Sequence, residues 1–390
     1  MKRINRKTGV WHEMKKLCFV ATIPAVVHSF MKEHIRASAE KCAVKIVTNP
    51  ADAELLSGLN AQFIPLAIER KVSPWRDLLA LIQLVKLFRR ERFDLVHSIM
   101  PKTGFLAMLA AGLSGVPNRV HTFTGQVWAN KRGWKRGALK LFDKLIVLCA
   151  THILVDSPSQ RDFLVSEGVL QQGKGIVIGH GSICGVDANR FHPDEQARNT
   201  VRSELGIGTE QTVILFLGRL NRDKGILDLA AAFAGIASQR NDVTLVLAGT
   251  EEDVTFSRVR EICGAHRKRL RSVGFTPSPE RYMAAADIFC LPSYREGFGQ
   301  VIIEAGASGV PTVASRIYGV TDAVEDGKTG LLFAAGDVAA LTQTLLKLIE
   351  DRNSRLRMGA SARTRALELF SSRNITEKML AFHGGLLDSR

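Results

Sequence analysis

Short apolar runs alternate along the chain with longer segments in which apolar residues recur every three or four positions. The runs predict buried strands and the longer segments predict helices that cover them, the pattern of a parallel α/β protein. The predicted strands are 17–22, 43–48, 63–65, 94–98, 119–123, 153–156 and 175–178 in the front half, and 213–217, 243–248, 287–291 and 312–314 in the back half.

The alternating pattern stops at a glycine-rich stretch, residues 179–193, and then restarts. With 390 residues available, the restart predicts two Rossmann-like domains. We expect an N-terminal extension at 1–13, a first domain at 14–185, a linker at 186–204, a second domain at 205–370, and a C-terminal helix within 371–390 that returns to the first domain.

Composition is that of an ordinary globular protein, with 46% hydrophobic and 23% charged residues, which excludes wholesale disorder. The formal net charge is +15. Residues 1–185 contain 27 Lys and Arg against 13 Asp and Glu, whereas residues 186–390 contain 26 against 25. The front half is therefore the basic one, and it predicts an anionic partner such as nucleic acid, an anionic membrane surface or a phosphorylated substrate.

The six cysteines form no C-x-x-C pair, which fits buried thiols in a reducing compartment. The basic N-terminus lacks the apolar run of a signal peptide, and no stretch approaches the roughly 20 apolar residues of a membrane span. We therefore expect a cytoplasmic protein whose membrane contact is peripheral, at the inner face of the cytoplasmic membrane.

The first candidate site lies in residues 215–229, LFLGRLNRDKGILDL, where a predicted strand enters a loop and then a helix. Gly218 permits close backbone approach, and the loop carries Arg219 and Lys224. Two cations at the end of a parallel strand, beside a helix N-terminus, can bind a diphosphate. The alternative is a solvated loop with ordinary surface charges.

The second candidate site lies in residues 291–311, LPSYREGFGQVIIEAGASGVP. Glu296 falls in a loop, and Glu304, eight positions later, falls within an apolar helix where a carboxylate needs a hydrogen-bonding partner. Ribose hydroxyls could be that partner, and the intervening glycines would let backbone N–H groups meet phosphate. The alternative is a capping carboxylate followed by a partly exposed helical Glu.

The E-x7-E pattern of Glu296 and Glu304 and the GRL-x3-KG pattern of residues 218–225 together resemble the retaining glycosyltransferases of family 4. The resemblance implies the GT-B fold, with two Rossmann-like domains facing a central cleft, and a nucleotide-diphosphate sugar, usually a UDP-sugar, as co-substrate. It implies neither a required metal nor another cofactor. The catalytic residues it implies are Glu296, Lys224 and Arg219, and the implied donor-binding residues are Gly218, Arg219, Lys224, Glu296, Gly297, Phe298, Gly299 and Glu304.

The front half, through residues 96–125, resembles enzymes of this family that build bacterial polysaccharides on lipid carriers. The resemblance suggests His97, Lys102 and Thr124 as acceptor-side residues, with a surface lysine as the alternative for Lys102. Two positions depart from the pattern. Residues 24–26 replace a Gly-Gly loop, and Thr124 stands where many relatives have His.

Residues 128–144 form the most basic segment, with aromatic side chains interleaved among the cations. A helix would present these cations as a stripe suited to an anionic bilayer, although a solvated charged face would look the same. The candidate membrane contacts are Lys131, Arg132, Trp134, Lys135 and Arg136.

These observations predict a glycosyltransferase that moves a sugar from a nucleotide donor to a lipid-diphosphate-linked saccharide in envelope polysaccharide or lipopolysaccharide assembly. One alternative is a transferase with a soluble acceptor, of the glucan or disaccharide synthase type. A more distant alternative is a nucleic-acid-binding protein on the same scaffold, although no recognition helix or RNA-binding motif supports it.

Overall fold

The computed structural model describes residues 2–4, 11–69 and 73–389. The chain divides into a front unit, Met1–Cys184 with Ser372–Arg390, and a back unit, Gly185–Ser371. Each unit is built on one parallel β-sheet. The predicted α/β class with two Rossmann-like domains is therefore confirmed.

The front unit contains a short antiparallel pair and a seven-stranded parallel sheet in the order β5-β4-β3-β6-β7-β8-β9 within the described residues. The pair comprises the backbone of two segments inside the expected extension 1–13, and the remaining residues of that stretch lie outside the described residues. The strands are β1 Lys2–Ile4, β2 Trp11–Glu13, β3 Lys16–Val20, β4 Ala43–Thr48, β5 Gln62–Pro65, β6 Leu95–Ile99, β7 Asn118–Phe123, β8 His152–Val155 and β9 Ile176–Val177.

Helices connect the front strands, and Pro stands at the first helical position of several of them, where its missing N–H costs nothing. A π-helical turn, Val27–Met31, separates the first two, and a 3₁₀ turn, Ala53–Leu56, precedes β5. The helices are α1 Pro24–Val26, α2 Lys32–Ala39, α3 Pro74–Glu91, α4 Pro101–Leu113, α5 Gly133–Cys149 and α6 Pro158–Ser166.

The back unit contains a six-stranded parallel sheet in the order β12-β11-β10-β13-β14-β15 within the described residues. Its central strands are almost completely buried and consist mainly of apolar residues, as expected when helices cover both faces. The strands are β10 Thr212–Leu217, β11 Val243–Ala248, β12 Leu270–Gly274, β13 Ile288–Leu291, β14 Thr312–Ser315 and β15 Gly330–Phe333.

In the back unit, a helix precedes the first strand. Two 3₁₀ turns, Arg222–Lys224 and Gly264–Arg269, interrupt the connections. The helices are α7 Glu195–Glu204, α8 Ile226–Gln239, α9 Phe256–Cys263, α10 Pro279–Ala285, α11 Gln300–Ala307, α12 Val320–Ala323, α13 Val338–Glu350 and α14 Arg352–Phe370.

One boundary between the units differs from the boundary that the sequence predicted. Residues 186–204, expected as a linker, lie inside the back unit, because Arg198 on α7 donates to Asp287 and to carbonyls at the end of α10. The last helix, α15 (Ser372–Asp388), belongs to the front unit, where Ile375 and Met379 are buried against its core.

Candidate functional site

The loops that follow β10, β13 and β14 come together at the carboxyl edge of the back sheet, the usual binding edge of an open α/β sheet. Gly225 has φ +68°, and a Cβ there would overlap the carbonyl oxygen of Pro292. A Cβ on Gly319 would likewise collide with the carbonyl group of Gly297. Glycine at these two positions therefore lets three loops pack backbone against backbone, which brings distant residues of the chain together.

Lys224 and Glu296 meet in this cluster of loops. The Lys224 Nζ donates to Glu296 Oε1 at 2.6 Å, and Ser293 Oγ donates to the same oxygen at 2.8 Å. The two charged side chains are mostly buried, with 21% and 11% of their side-chain surface exposed. The two motifs that sequence analysis identified separately thus form one site, and Ser293 is an additional member of it.

Arg219 lies at the same edge and pairs with a carboxylate that sequence analysis did not identify. Its guanidinium donates to Glu252 Oε1 at 2.5 Å, and Asn221 Nδ2 donates to Glu252 Oε2 at 2.5 Å. Asn221 also accepts from the backbone N–H of Lys224 at 2.9 Å, which fixes the turn that carries the lysine. Glu252 follows β11 closely, and the carboxyl ends of parallel strands meet at the same sheet edge. Its position in the sequence could therefore have identified it as a residue of this site.

Glu304 lies one turn into α11 and is the most perturbed acid of this edge. Burial raises the pKa of its carboxyl to about 7, although a hydrogen bond from the Gln300 amide to Oε1 at 3.4 Å acts in the opposite direction. Near neutral pH the group is therefore divided between its protonated and ionised forms, and it can both donate to and accept from hydroxyl groups.

The remaining predicted donor residues surround the start of α11. Gly299 is its N-cap, with φ +80°, and Gly225 is the N-cap of α8. Glycine offers no side-chain acceptor to the first turn, so both helix starts suit an anion. Phe298 is buried and packs against Phe370 with ring centroids 5.1 Å apart, so it supports the loop from the core side.

In the front unit, the structure places His97 in the interior. Only 1% of the residue is exposed; its Nε2 lies 2.7 Å from Thr122 Oγ1 and its Nδ1 lies 3.1 Å from His383 Nε2. Burial lowers the pKa of His97 well below its ordinary value. His97 therefore acts as a packing residue between β6, β7 and α15, and it is not positioned to contact an acceptor.

The other two acceptor-side candidates lie nearer the surface. Lys102 is in the first turn of α4, and its Nζ forms a 2.6 Å ion pair with Asp77 of α3. Thr124 is partly exposed directly after β7. His121, in contrast, is buried, because its ring packs against Gly104, where a Cβ would collide with it.

The basic segment, residues 128–144, folds as the turn before α5 and about the first two-thirds of that helix. Lys131, Arg132 and Lys135 are exposed, and Trp134 is 78% exposed. Arg136 differs from them, because it forms a 2.7 Å ion pair with Glu167 and lies over the ring of the buried Trp128. Lys140 pairs with the same Glu167 carboxylate at 2.8 Å, so Arg136 shares one negative charge with a second cation.

Among residues 14–69 and 73–389, no group of three His, Cys, Asp or Glu side chains is arranged as a metal site requires. Within the same residues, no helix combines the length and the apolar character needed to cross a membrane.

Comparison with known families matches both units. Residues 28–181 match the model for a glycosyl transferase 4-like domain, and residues 197–365 match the model for glycosyl transferases group 1.

Among curated proteins, the chain is 29% identical to the capsular polysaccharide biosynthesis glycosyltransferase CapM of Staphylococcus aureus, covering 84% of this chain and 85% of CapM. It is 28% identical to the UDP-Gal:alpha-D-GlcNAc-diphosphoundecaprenol alpha-1,3-galactosyltransferase of Escherichia coli, covering 78% and 79%. It is 31% identical to D-inositol 3-phosphate glycosyltransferase of Corynebacterium efficiens, covering 69% and 66%.

Among solved structures, the fold is similar to that of Anabaena HepE in complex with UDP, with a TM-score of 0.79 at 19% identity. The superposition covers 95% of this chain and all of HepE. The solved structures support the GT-B fold, and the two family models together with the curated relatives identify a glycosyltransferase that acts with nucleotide sugars. The chain belongs to glycosyltransferase family 4.

Proposed function

We propose that this glycosyltransferase moves a sugar from a UDP-sugar to a lipid-diphosphate-linked saccharide in envelope polysaccharide or lipopolysaccharide assembly. We further propose that it retains the anomeric configuration and requires no metal. The observation that carries the donor half of the proposal is the contact of Lys224 with Glu296 beside two glycine-capped helix starts. This arrangement supplies both signs of charge where a sugar–diphosphate bond would lie.

The chemistry follows from the charges that develop when that bond breaks. The leaving diphosphate gains negative charge, which Arg219, Lys224 and the first turns of α8 and α11 would stabilise. The sugar ring gains positive charge, which the Glu296 carboxylate would stabilise. The cations thereby take over what a divalent metal does in other transferases. Glu304 would hold the ribose hydroxyls.

The acceptor half of the proposal rests on the relatives. CapM is a capsular polysaccharide enzyme, and the name of the Escherichia coli relative specifies a sugar linked through a diphosphate to undecaprenol. A peripheral location at the inner face of the cytoplasmic membrane fits such an acceptor, and it is supported by the exposed cations Lys131, Arg132 and Lys135 beside Trp134.

The donor site can be tested with Lys224→Met and Glu296→Gln, which remove one charge each and keep the side-chain size. With UDP-sugar and a lipid-diphosphate acceptor in detergent, we expect kcat/KM to fall at least about 100-fold in each, the order that one transition-state charge contact contributes. Lys328→Met is the matched control, since Lys328 is an exposed lysine on a turn of the same unit. Full activity in both site variants would overturn the assignment.

Two further measurements test the finer parts of the proposal. Nuclear magnetic resonance of the product reports the anomeric configuration, and an inverted product would contradict retention. Turnover after exhaustive chelation tests metal independence, which is contradicted if activity is lost and returns with a divalent cation.

A soluble phosphorylated acceptor is the second candidate, because the D-inositol 3-phosphate relative shares 31% identity. Equal activity with and without membranes or lipid acceptor would favour it over the lipid-linked acceptor. The family assignment leaves the nucleic-acid alternative without support.

A further inference from the structure

Helix α3 has two apolar faces, whereas a surface helix of a globular protein ordinarily has one. Ala80, Leu84 and Phe88 are buried in the front core. On the opposite side of the helix, residues spaced by three or four positions form a second apolar stripe that faces outward. Its members are Trp75, Leu78, Leu79 and Ile82, which are 69%, 46%, 43% and 42% exposed.

Helix α5 has the same double character. Ile146 and the carboxylate of Asp143 face inward, where Asp143 accepts from Trp128 Nε1 at 2.7 Å. The outward line includes Trp134 and Leu141, with Leu148 at the far end of the helix. Single exposed apolar side chains are usually scattered over a protein surface. Large apolar side chains that share one exposed stripe are instead characteristic of an interaction surface.

The two stripes lie on the same side of the front sheet. The connections β5-α3-β6, β6-α4-β7 and β7-α5-β8 all cross in the same direction along the strand order, so right-handed crossovers place the three helices on one face. Helix α4 lies between the other two, and Phe105 on it meets Phe142 on α5 edge to face at 5.4 Å. We call the exposed residues Trp75, Leu78, Leu79, Ile82, Trp134, Leu141 and Phe142 the α3–α5 face.

Charge around the α3–α5 face is one-sided. The carboxylate of Asp77 is neutralised by Lys102 at 2.6 Å, and that of Glu167 is neutralised by two cations of α5. In contrast, Lys131, Arg132 and Lys135 are exposed and have no carboxylate partner among the residues that the structure describes. Apolar stripes bordered by uncompensated cations are complementary to an anionic lipid surface, whose interior accepts the former and whose headgroups attract the latter.

We propose that the α3–α5 face docks on an anionic bilayer, with α3 inserting alongside α5. The inference rests on the proposed function, which already uses the exposed cations and Trp134 of the α5 segment, and it adds α3 as a second, inserting helix. Helices α3 and α5 begin at the carboxyl edge of the front sheet, so Trp75 and Trp134 both lie at the edge that carries Lys102 and Thr124. A lipid diphosphate at the bilayer surface would then meet the acceptor-side residues without leaving the membrane.

Vesicle flotation of the full-length protein tests the docking surface directly. Wild type should float with vesicles that contain phosphatidylglycerol and bind phosphatidylcholine vesicles far less. Trp75→Ser with Leu79→Ser should weaken partitioning at least about tenfold, because two large apolar side chains no longer enter the bilayer. Lys131→Glu with Lys135→Glu should weaken partitioning at least about fivefold for each lysine replaced. Phe275→Ser is the matched control, since Phe275 is 74% exposed on the back unit.

A second measurement separates docking from catalysis. Transfer to a detergent-solubilised lipid acceptor should be unchanged in both double variants, whereas transfer to the same acceptor in vesicles should fall with partitioning. Vesicle binding that survives the α3 substitutions would overturn the inference and leave the proposed function standing. A concentration-dependent dimer that Trp75→Ser with Leu79→Ser dissolves would also overturn it, because a second copy would then be the occupant of the face.

Discussion

Replacing Glu304 by Gln should stabilise the protein without donor and weaken its response to donor. Burial raises the pKa of the carboxyl from 4.5 to about 7, so the native state resists ionisation of this group. At about 1.4 kcal/mol per pKa unit, ionised Glu304 destabilises the folded state by up to about 3 kcal/mol. Gln keeps the size and the hydrogen-bonding capacity of the side chain but carries no such cost.

The pH dependence of this effect has a definite sign. Below pH 4.5 the group is protonated in both states, and the two proteins should unfold alike. As the pH rises towards 7 the unfolded chain releases the proton first, so wild-type stability falls relative to Glu304→Gln. Above about 7 the difference reaches its plateau. At about 2–4 °C per kcal/mol, the full difference in stability between the two proteins corresponds to several degrees in Tm.

Thermal melts at about pH 5 and about pH 8, with and without UDP-sugar, measure both parts of the prediction. The variant should bind donor about 10- to 100-fold more weakly, because a charge-assisted hydrogen bond to the ribose is lost. Glu368→Gln is the control, since Glu368 is an exposed carboxylate of α14. A Tm difference that does not change with pH, or an equal donor-induced shift in both proteins, would refute the reasoning.

Three further predictions concern backbone packing, acid stability and salt. Gly225→Ala should lower the free energy of unfolding by about 2 kcal/mol or more and abolish donor binding, because φ of Gly225 is positive and the added Cβ meets the Pro292 carbonyl. Gly208 has room for a Cβ, so Gly208→Ala is the control and should melt like wild type in calorimetry. Burial lowers the pKa of His121 and His383 to about 3, so each should cost about 1.4 kcal/mol of stability per pH unit as the pH drops below 6.5. Glu304→Gln removes the opposing effect of Glu304, and a urea midpoint of that variant that stays constant from pH 6.5 to about 4.5 would contradict the prediction. Added salt should weaken vesicle binding steeply and donor binding only slightly, as titrations of each can report. The net positive charge lies in the front half of the chain, whereas Arg219 and Lys224 at the donor site are already paired with carboxylates.

Sequence patterns predicted the central strands of both sheets but missed the two edges of the back sheet. Leu270–Gly274 and Gly330–Phe333 are the terminal strands in the order. The first contains Arg271 and Ser272, which an edge strand can expose to solvent, so it lacks the apolar run that marks a buried strand. The second is only four residues long. Burial on both faces gives central strands a clear apolar run, which these two edge strands lack. The edge strands of the front sheet, Gln62–Pro65 and Ile176–Val177, were predicted from the sequence.

The donor cluster shows a different limit of sequence reasoning. The family resemblance implied that Arg219, Lys224 and Glu296 belong to one donor site, but it did not indicate which of them pair. Lys224 and Glu296 are 72 positions apart, and Glu252 reaches Arg219 from the loop after β11. Which carboxylate meets which cation depends on loop geometry at the sheet edge, and that geometry is set by packing across several strands.

The pairing itself bears on how the proposed reaction would proceed. Three cations of this edge already have carboxylate partners: Arg219 with Glu252, Lys224 with Glu296, and Arg295 with Asp223. In the proposed complex, a donor diphosphate would replace a carboxylate as the partner of a cation, and this exchange of one charge contact for another would add little ground-state affinity. The exchange at Lys224 would also release the Glu296 carboxylate to face the sugar. As the bond to diphosphate breaks, both contacts strengthen together, so the energy of these pairs is expressed in the transition state, where it accelerates the reaction.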